Sequence, residues 1–280
     1  MSRAPRLTLE TVLCDRRFFG LETATPVQRA CCRVIDGLPL GELADDANVI
    51  ALVGGAPALA SLPVGQPPHR VDIIGSIRSA KSMTAAAAAF AASQTVDVSG
   101  LKPGEVPRIP IVAPRMDLGR VEFGMLCAQA AEKPAIAARL IGQPTSDTIV
   151  FRHPSGMPIE VMITAASSGG TSLVSRWVAR AIFTEAPRTA SETEGAAVNL
   201  ESMLAAVDGR LLRGGSIITN GSPTTPTGEI FNAYEKRFGK PTPHHVVLHG
   251  TGPMFNPGYF TPEKCAQLQE SNRRSYVTDV

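Results

Sequence analysis

Val71-Asp-Ile-Ile-Gly75-Ser-Ile-Arg-Ser-Ala-Lys81-Ser82 runs from a short apolar stretch through a polar turn into the alanine-rich segment Ala85 to Ala92. An apolar run halted by glycine reads as a buried strand, and alanine is the strongest helix former, so the segment predicts strand, loop, helix. Gly75 to Ser82 has the outline G-x-x-x-x-G-K-[ST], with Ala80 in place of the second glycine. Each part of that outline has a task. Backbone N–H groups in the turn and at the helix start cradle phosphate oxygens, the lysine reaches the outer phosphates, and the serine hydroxyl ligates magnesium. The expected nucleotide contacts are therefore Gly75, Ser76, Ile77, Arg78, Ser79, Ala80, Lys81 and Ser82. Ala80 weakens the match, because a methyl group crowds a turn that glycine fits freely.

Outward from this unit the strand and helix signals continue. Arg108 to Ala113 reads as a strand and Asp117 to Lys133 as a helix with Val121, Met125 and Ala128 on one face. Thr148 to Arg152 and Pro158 to Thr164 flank the turn His153-Pro-Ser-Gly156 and suit an antiparallel hairpin. Val178 to Phe183 reads as a buried strand, Glu192 to Val207 as a helix and Ser216 to Thr219 as a strand, while Gly54 to Pro68 and Asn220 to Gly228 read as loops. Strands alternating with helices predict an α/β fold, a P-loop NTPase core with a mostly parallel central sheet flanked by helices.

The 280 residues suffice for one full core. The formal charge of +2 gives no bulk attraction for nucleic acid, although it leaves room for a local basic stripe. The five cysteines form no C-x-x-C pair and read as free, mostly buried thiols. No apolar run approaches the length of a membrane span and Met1 to Glu10 has no hydrophobic signal core, so no membrane partner and a reducing, cytosolic compartment are expected. His244, His245 and His249 lack a carboxylate or cysteine at ligand spacing and read as surface or strand-edge residues. Trp177 reads as a packing anchor, Gly54-Gly55 as a turn, and Ser167-Ser-Gly-Gly170 as a connector or a mobile loop able to face DNA.

A phosphate loop also needs an acid to complete the magnesium shell and to position water. Ala181-Ile-Phe-Thr184-Glu185, an apolar strand ending in an acid, is the candidate Walker B element. Glu185 would act on the attacking water. Thr184 stands at the magnesium-side position where aspartate is usual, and its hydroxyl is an uncharged, weaker ligand.

Together these motifs resemble the large terminase subunit of tailed bacteriophages, the ATPase that drives DNA into the procapsid. Phe18 to Gln28 looks like that family's adenine-reading segment, with Gln28 as the reader, and Arg78 sits where the family often has an arginine inside the phosphate loop. Ile109 to Arg115 looks like the strand after the first helix, and Phe183 to Arg188 is similar to the family's Walker B with its trailing residues. Ile217 to Gly228 resembles the coupling motif, and Phe255-Asn-Pro, Thr261-Pro-Glu and Arg274-Ser-Tyr276 look like the linker into a nuclease domain. The resemblance implies catalytic Lys81, Glu185 and Arg78, coupling residues Asn220 and Ser222, and metal-side residues Ser82, Thr184 and Glu185, with ATP and Mg2+ as cofactors. It further implies double-stranded DNA, a portal protein and a small terminase subunit as partners, and a homo-oligomeric ring in the cytoplasm of a bacterial host. Residues 1–70 would form a lid and adenine-recognition segment, 71–250 the ATPase core, and 251–280 a linker towards a nuclease domain that the sequence does not contain. Arg115, Arg120, Arg176 and Arg188 are candidates for a finger into a neighbouring subunit. Ala80 and Thr184 depart from the family's pattern and put efficient hydrolysis in doubt. A helicase-like or repair ATPase, and a degenerate nucleotide-binding or assembly module, are the rival expectations.

Overall fold

A computed structural model describes residues 7–166, 176–189, 199–271 and 276. The expected loop at Ser167 to Gly170, the start of the helix expected from Glu192, and Arg274-Ser275 lie outside the described residues.

Four short helices precede the first strand: α1 (Leu9–Cys14), α2 (Pro26–Ile35), α3 (Ala47–Leu52) and α4 (Ala56–Ala60). Their starts are fixed locally. Thr8 and Asp46 accept hydrogen bonds from backbone N–H groups of α1 and α3, and Thr25 forms a reciprocal capping box with Gln28 ahead of Pro26. Then follow β1 (Arg70–Gly75), α5 (Lys81–Thr95), β2 (Arg108–Ala113), α6 (Met116–Glu132), α7 (Pro134–Ala137), β3 (Thr148–Arg152), β4 (Pro158–Ala165) and β5 (Val178–Phe183). The chain continues through α8 (Leu200–Asp208), β6 (Leu211–Gly221), α9 (Glu229–Arg237), β7 (His245–Gly250), α10 (Gly252–Phe255) and α11 (Pro262–Ser271).

The strands form one seven-stranded sheet in the order β3-β4-β2-β5-β6-β1-β7. Neighbours run parallel except for the β3–β4 hairpin. Parallel strands need both faces covered, and alternate residues supply two cores. Ile182 and Ile218 join α1, α2, α3, α5 and α6 on one face, while Phe183 and Ile217 join α8 and α9 on the other. Ala85 to Ala92 are all buried in α5, so alanine there is a packing choice as well as a propensity. Small side chains around the whole helix let it lie between the sheet and its neighbouring helices.

Several expectations need correction. The stretch Gly54 to Pro68 contains α4 rather than loop alone. The buried face of α6 is Gly119, Glu122, Phe123, Leu126 and Ala130, whereas Val121 is 47% exposed, because the helix packs through its smallest residue. Gly119 closes on the sheet so tightly that a Cβ there would lie 3.3 Å from the Ala113 Cβ. Trp177 is 39% exposed and donates from Nε1 to Glu105 at 3.2 Å, so it is no core anchor. Of the free cysteines, Cys31 and Cys32 are buried and the other three are half-buried. Among the described residues no helix is long and apolar enough to cross a membrane.

Candidate nucleotide site

β1 ends at Gly75 and α5 begins at Lys81, so the loop lies at the C-terminal edge of the sheet, where parallel α/β sheets bind ligands. Gly75 is required by contact: a Cβ would sit 2.8 Å from the Phe255 ring. Arg78 and Ala80 both adopt left-handed backbone, with φ of 57° and 62°. The methyl of Ala80 therefore sits where glycine would carry no penalty. Ser76 and Ser79 are buried, and Ser79 donates to the Ser76 carbonyl at 2.8 Å; Ile77 and Arg78 face outward. The Lys81 ammonium turns back into this loop. It donates to the Gly75 carbonyl at 2.9 Å, to Ser79 Oγ at 3.0 Å and to the Ser76 carbonyl, and it reaches Ser222 Oγ at 3.3 Å.

Segments from both halves of the sequence hold the loop. Gln28 is buried; its Oε1 accepts from Thr25 N at 2.9 Å and its Nε2 donates to the Ser79 carbonyl at 3.2 Å. The residue expected to read adenine is thus placed against the loop between β1 and α5. Asn256 Nδ2 donates to the Arg78 carbonyl at 3.0 Å, and the Arg78 guanidinium lies 4.7 Å from the centre of the Tyr259 ring, a cation–π contact.

The far side of the site comes from β5 and β6. Register pairs Ile73 of β1 with Asn220 of β6, and Phe183 of β5 with Thr219, so Asn220 lies between the loop strand and Thr184. Gly221 lets β6 pass the turn after β5: a Cβ there would lie 2.3 Å from Pro187 Cδ. Thr184 is buried, with its hydroxyl 2.7 Å from Glu122 Oε1 and 3.3 Å from Asn220 Oδ1. Glu185 occupies left-handed backbone at φ 49° and accepts from Arg188 Nε at 2.9 Å.

Glu122 is the site residue that the sequence reading missed. It is 3% exposed, its Oε2 has no hydrogen-bond partner among the described residues, and burial pushes its carboxyl above the usual range. The Thr184 and Ser82 hydroxyls act against that shift, and the Glu185 charge adds to it. The missed signal was an acid one position from the assumed apolar face of α6.

Of the four candidate finger arginines, Arg115 pairs with Asp117, Arg176 with Glu160 and Arg188 with Glu185, while Arg120 is exposed on α6. His245 and His249 lie on the edge strand β7, and burial lowers the pKa of His249. Among the described residues no group of three or more His, Cys, Asp or Glu is placed to hold a metal ion. Magnesium does not require one, since it binds through one or two carboxylates, hydroxyl or water oxygens and substrate phosphate. Ser82, Thr184 and Glu185, with the open oxygen of Glu122, are hard oxygen donors that fit such an ion.

A mostly parallel seven-stranded sheet flanked by helices, with the Gly75–Ser82 loop between β1 and α5 at its C-terminal edge, is the α/β fold of P-loop NTPase cores. Its structural neighbours are the ATPase domains of phage large terminases. The large terminase of bacteriophage HK97 matches with a TM-score of 0.55 at 13% identity, over 81% of this chain and 51% of that one. A mutant of the Thermus phage P74-26 large terminase ATPase domain matches at 0.53 and 14% identity, over 84% and 96%. A large terminase from a thermophilic bacteriophage, solved with ADP, matches at 0.51 and 13% identity, over 72% and 44%. The chain therefore spans about half the length of the whole terminases it matches. No protein-family model and no curated protein matches the sequence.

Proposed function

We propose that this chain is the ATP-hydrolysing motor domain of a DNA-packaging terminase, working in the cytoplasm of an infected bacterium. The observation that carries the reading is the Lys81 ammonium held inside the loop between β1 and α5, beside Ser222 of the β6 segment. In that position one charge can exchange loop carbonyls for phosphate oxygens. Lys81 and Arg78 would balance phosphate charge, Ser82 would hold magnesium, and Glu185 would orient water. Asn220, near the end of β6, and Ser222, just after it, would sense the outermost phosphate. Magnesium would supply charge neutralisation along the phosphates. Double-stranded DNA, a portal protein and a small terminase subunit are the proposed partners, and a ring of copies the proposed assembly.

Nucleotide binding and turnover by wild type and Lys81→Ala test this reading. Loss of binding in the variant and DNA-stimulated turnover in wild type are expected. Equal binding by both proteins would remove the site. A second reading, a nucleotide-binding or assembly module without turnover, is favoured by Thr184 standing at the aspartate position. Wild type that binds nucleotide yet hydrolyses only after Thr184→Asp and Ala80→Gly would establish it.

A further inference from the structure

Thr184 leaves the end of β5 without the negative charge a nucleotide-bound magnesium ion needs, and the charge has a replacement on a different element. We propose that Glu122 of α6 is the magnesium-side carboxylate of this site, with Thr184 as the positioning residue that holds it. The proposal rests on the nucleotide reading above.

Three observations carry it. Glu122 is 3% exposed, and its Oε2 has no hydrogen-bond partner among the described residues. A buried carboxylate with an open oxygen calls for a cation or a proton. Its other oxygen is fixed by the Thr184 hydroxyl at 2.7 Å, and the Ser82 hydroxyl is its neighbour too. An ionised aspartate at 184 could donate no such bond and would repel Glu122, so threonine at 184 and glutamate at 122 form a matched pair. Finally, Gly119, one helical turn earlier on the same face, brings α6 against Ala113 and Ile163, which sets position 122 over the end of β5. The carboxylate comes from the helix instead of the strand, with the Ser82 hydroxyl at the head of α5 as its neighbour.

The test compares binding of a fluorescent non-hydrolysable ATP analogue, with and without Mg2+, to the whole chain as wild type, E122Q, and E122Q combined with T184D. Bound Mn2+ is measured in parallel by its electron paramagnetic resonance signal. In wild type, Mg2+ tightens analogue binding. In E122Q that tightening falls by about tenfold or more while metal-free binding is kept, and Mn2+ occupancy drops in step. The T184D addition restores both by returning the charge to the strand. E122Q with the full Mg2+ effect overturns the proposal and leaves the nucleotide reading intact, as does equal loss of metal-free binding, which marks a structural role only. Wild type that binds no analogue overturns both. Thermal unfolding checks the variants: E122Q is expected to unfold no earlier than wild type, since it removes a buried charge.

Discussion

Ala80→Gly separates the backbone of the β1–α5 loop from the chemistry proposed for it. Ala80 sits at φ 62° and ψ 19° as the residue before α5, with no side-chain cap hydrogen bond. Left-handed backbone costs a residue with a Cβ about 1–2 kcal/mol. Glycine removes that cost but adds about 0.5–1 kcal/mol of extra entropy loss on folding. The expected net effect is a stabilisation of about 0.5–1 kcal/mol. For the 280-residue chain the unfolding entropy is roughly 0.6 kcal/mol per kelvin, so the thermal midpoint should rise by about 1–2 °C. Urea unfolding at fixed temperature gives the same quantity from the midpoint and slope. The same substitution at Ser79, whose φ is not positive, serves as a control and should destabilise. An Ala80→Gly protein less stable than wild type would refute the left-handed assignment and the account of why glycine is usual there.

Two further outcomes are fixed by contacts away from the loop. Asp72 is fully buried and bonded to Arg70, His245 and Thr219; burial opposes its charge, but the Arg70 guanidinium and the His245 ring hold its pKa down to about 2. A folded pKa below the unfolded value of 3.8 means stability present above pH 3.8 and lost as pH falls towards about 2. That loss should amount to about 2 kcal/mol and should vanish in Asp72→Asn, which at neutral pH should itself cost about 3–5 kcal/mol; acid and urea titrations followed by circular dichroism measure both, and an unchanged acid limb in the variant would disprove the linkage. Gly221→Ala places a methyl 2.3 Å from the rigid Pro187 ring, so it should cost about 1–3 kcal/mol in urea unfolding; a wild-type midpoint would show that β6 and the Glu185 turn are not so close.

The sequence was most informative where local pattern and burial agree. Arg108 to Ala113 and Val178 to Phe183 are strands with the expected bounds, because each is an unbroken run buried on both faces. The strand, loop and helix around Gly75 to Ser82 were legible because an apolar run halted by glycine leads into an alanine-rich helix former. The face of α6 was not, since packing through Gly119 rotates the helix away from its larger apolar residues and buries Glu122 instead. β7 was hidden by His245 and His249, which an edge strand tolerates and an apolar-run reading overlooks. The early helices are too short for periodicity to announce them, and they are set by caps at Thr8, Thr25 and Asp46.

The carbonyls of Ser79 and Arg78 are claimed from opposite ends of the chain, one by Gln28 and the other by Asn256. Thr25, the capping partner of Gln28, also donates to the Phe255 carbonyl at 3.4 Å, so the two claims are joined behind the loop. Free energy spent reshaping the loop is therefore felt at both claims, and reciprocity makes the traffic two-way. Under the proposed nucleotide role, a pull on the segment from Phe255 to Tyr259 would alter the loop's grip on a ligand, and the ligand would alter the docking of that segment in return. The clasp that shapes the loop would then also be a coupling through which load on that segment and ligand occupancy report on each other.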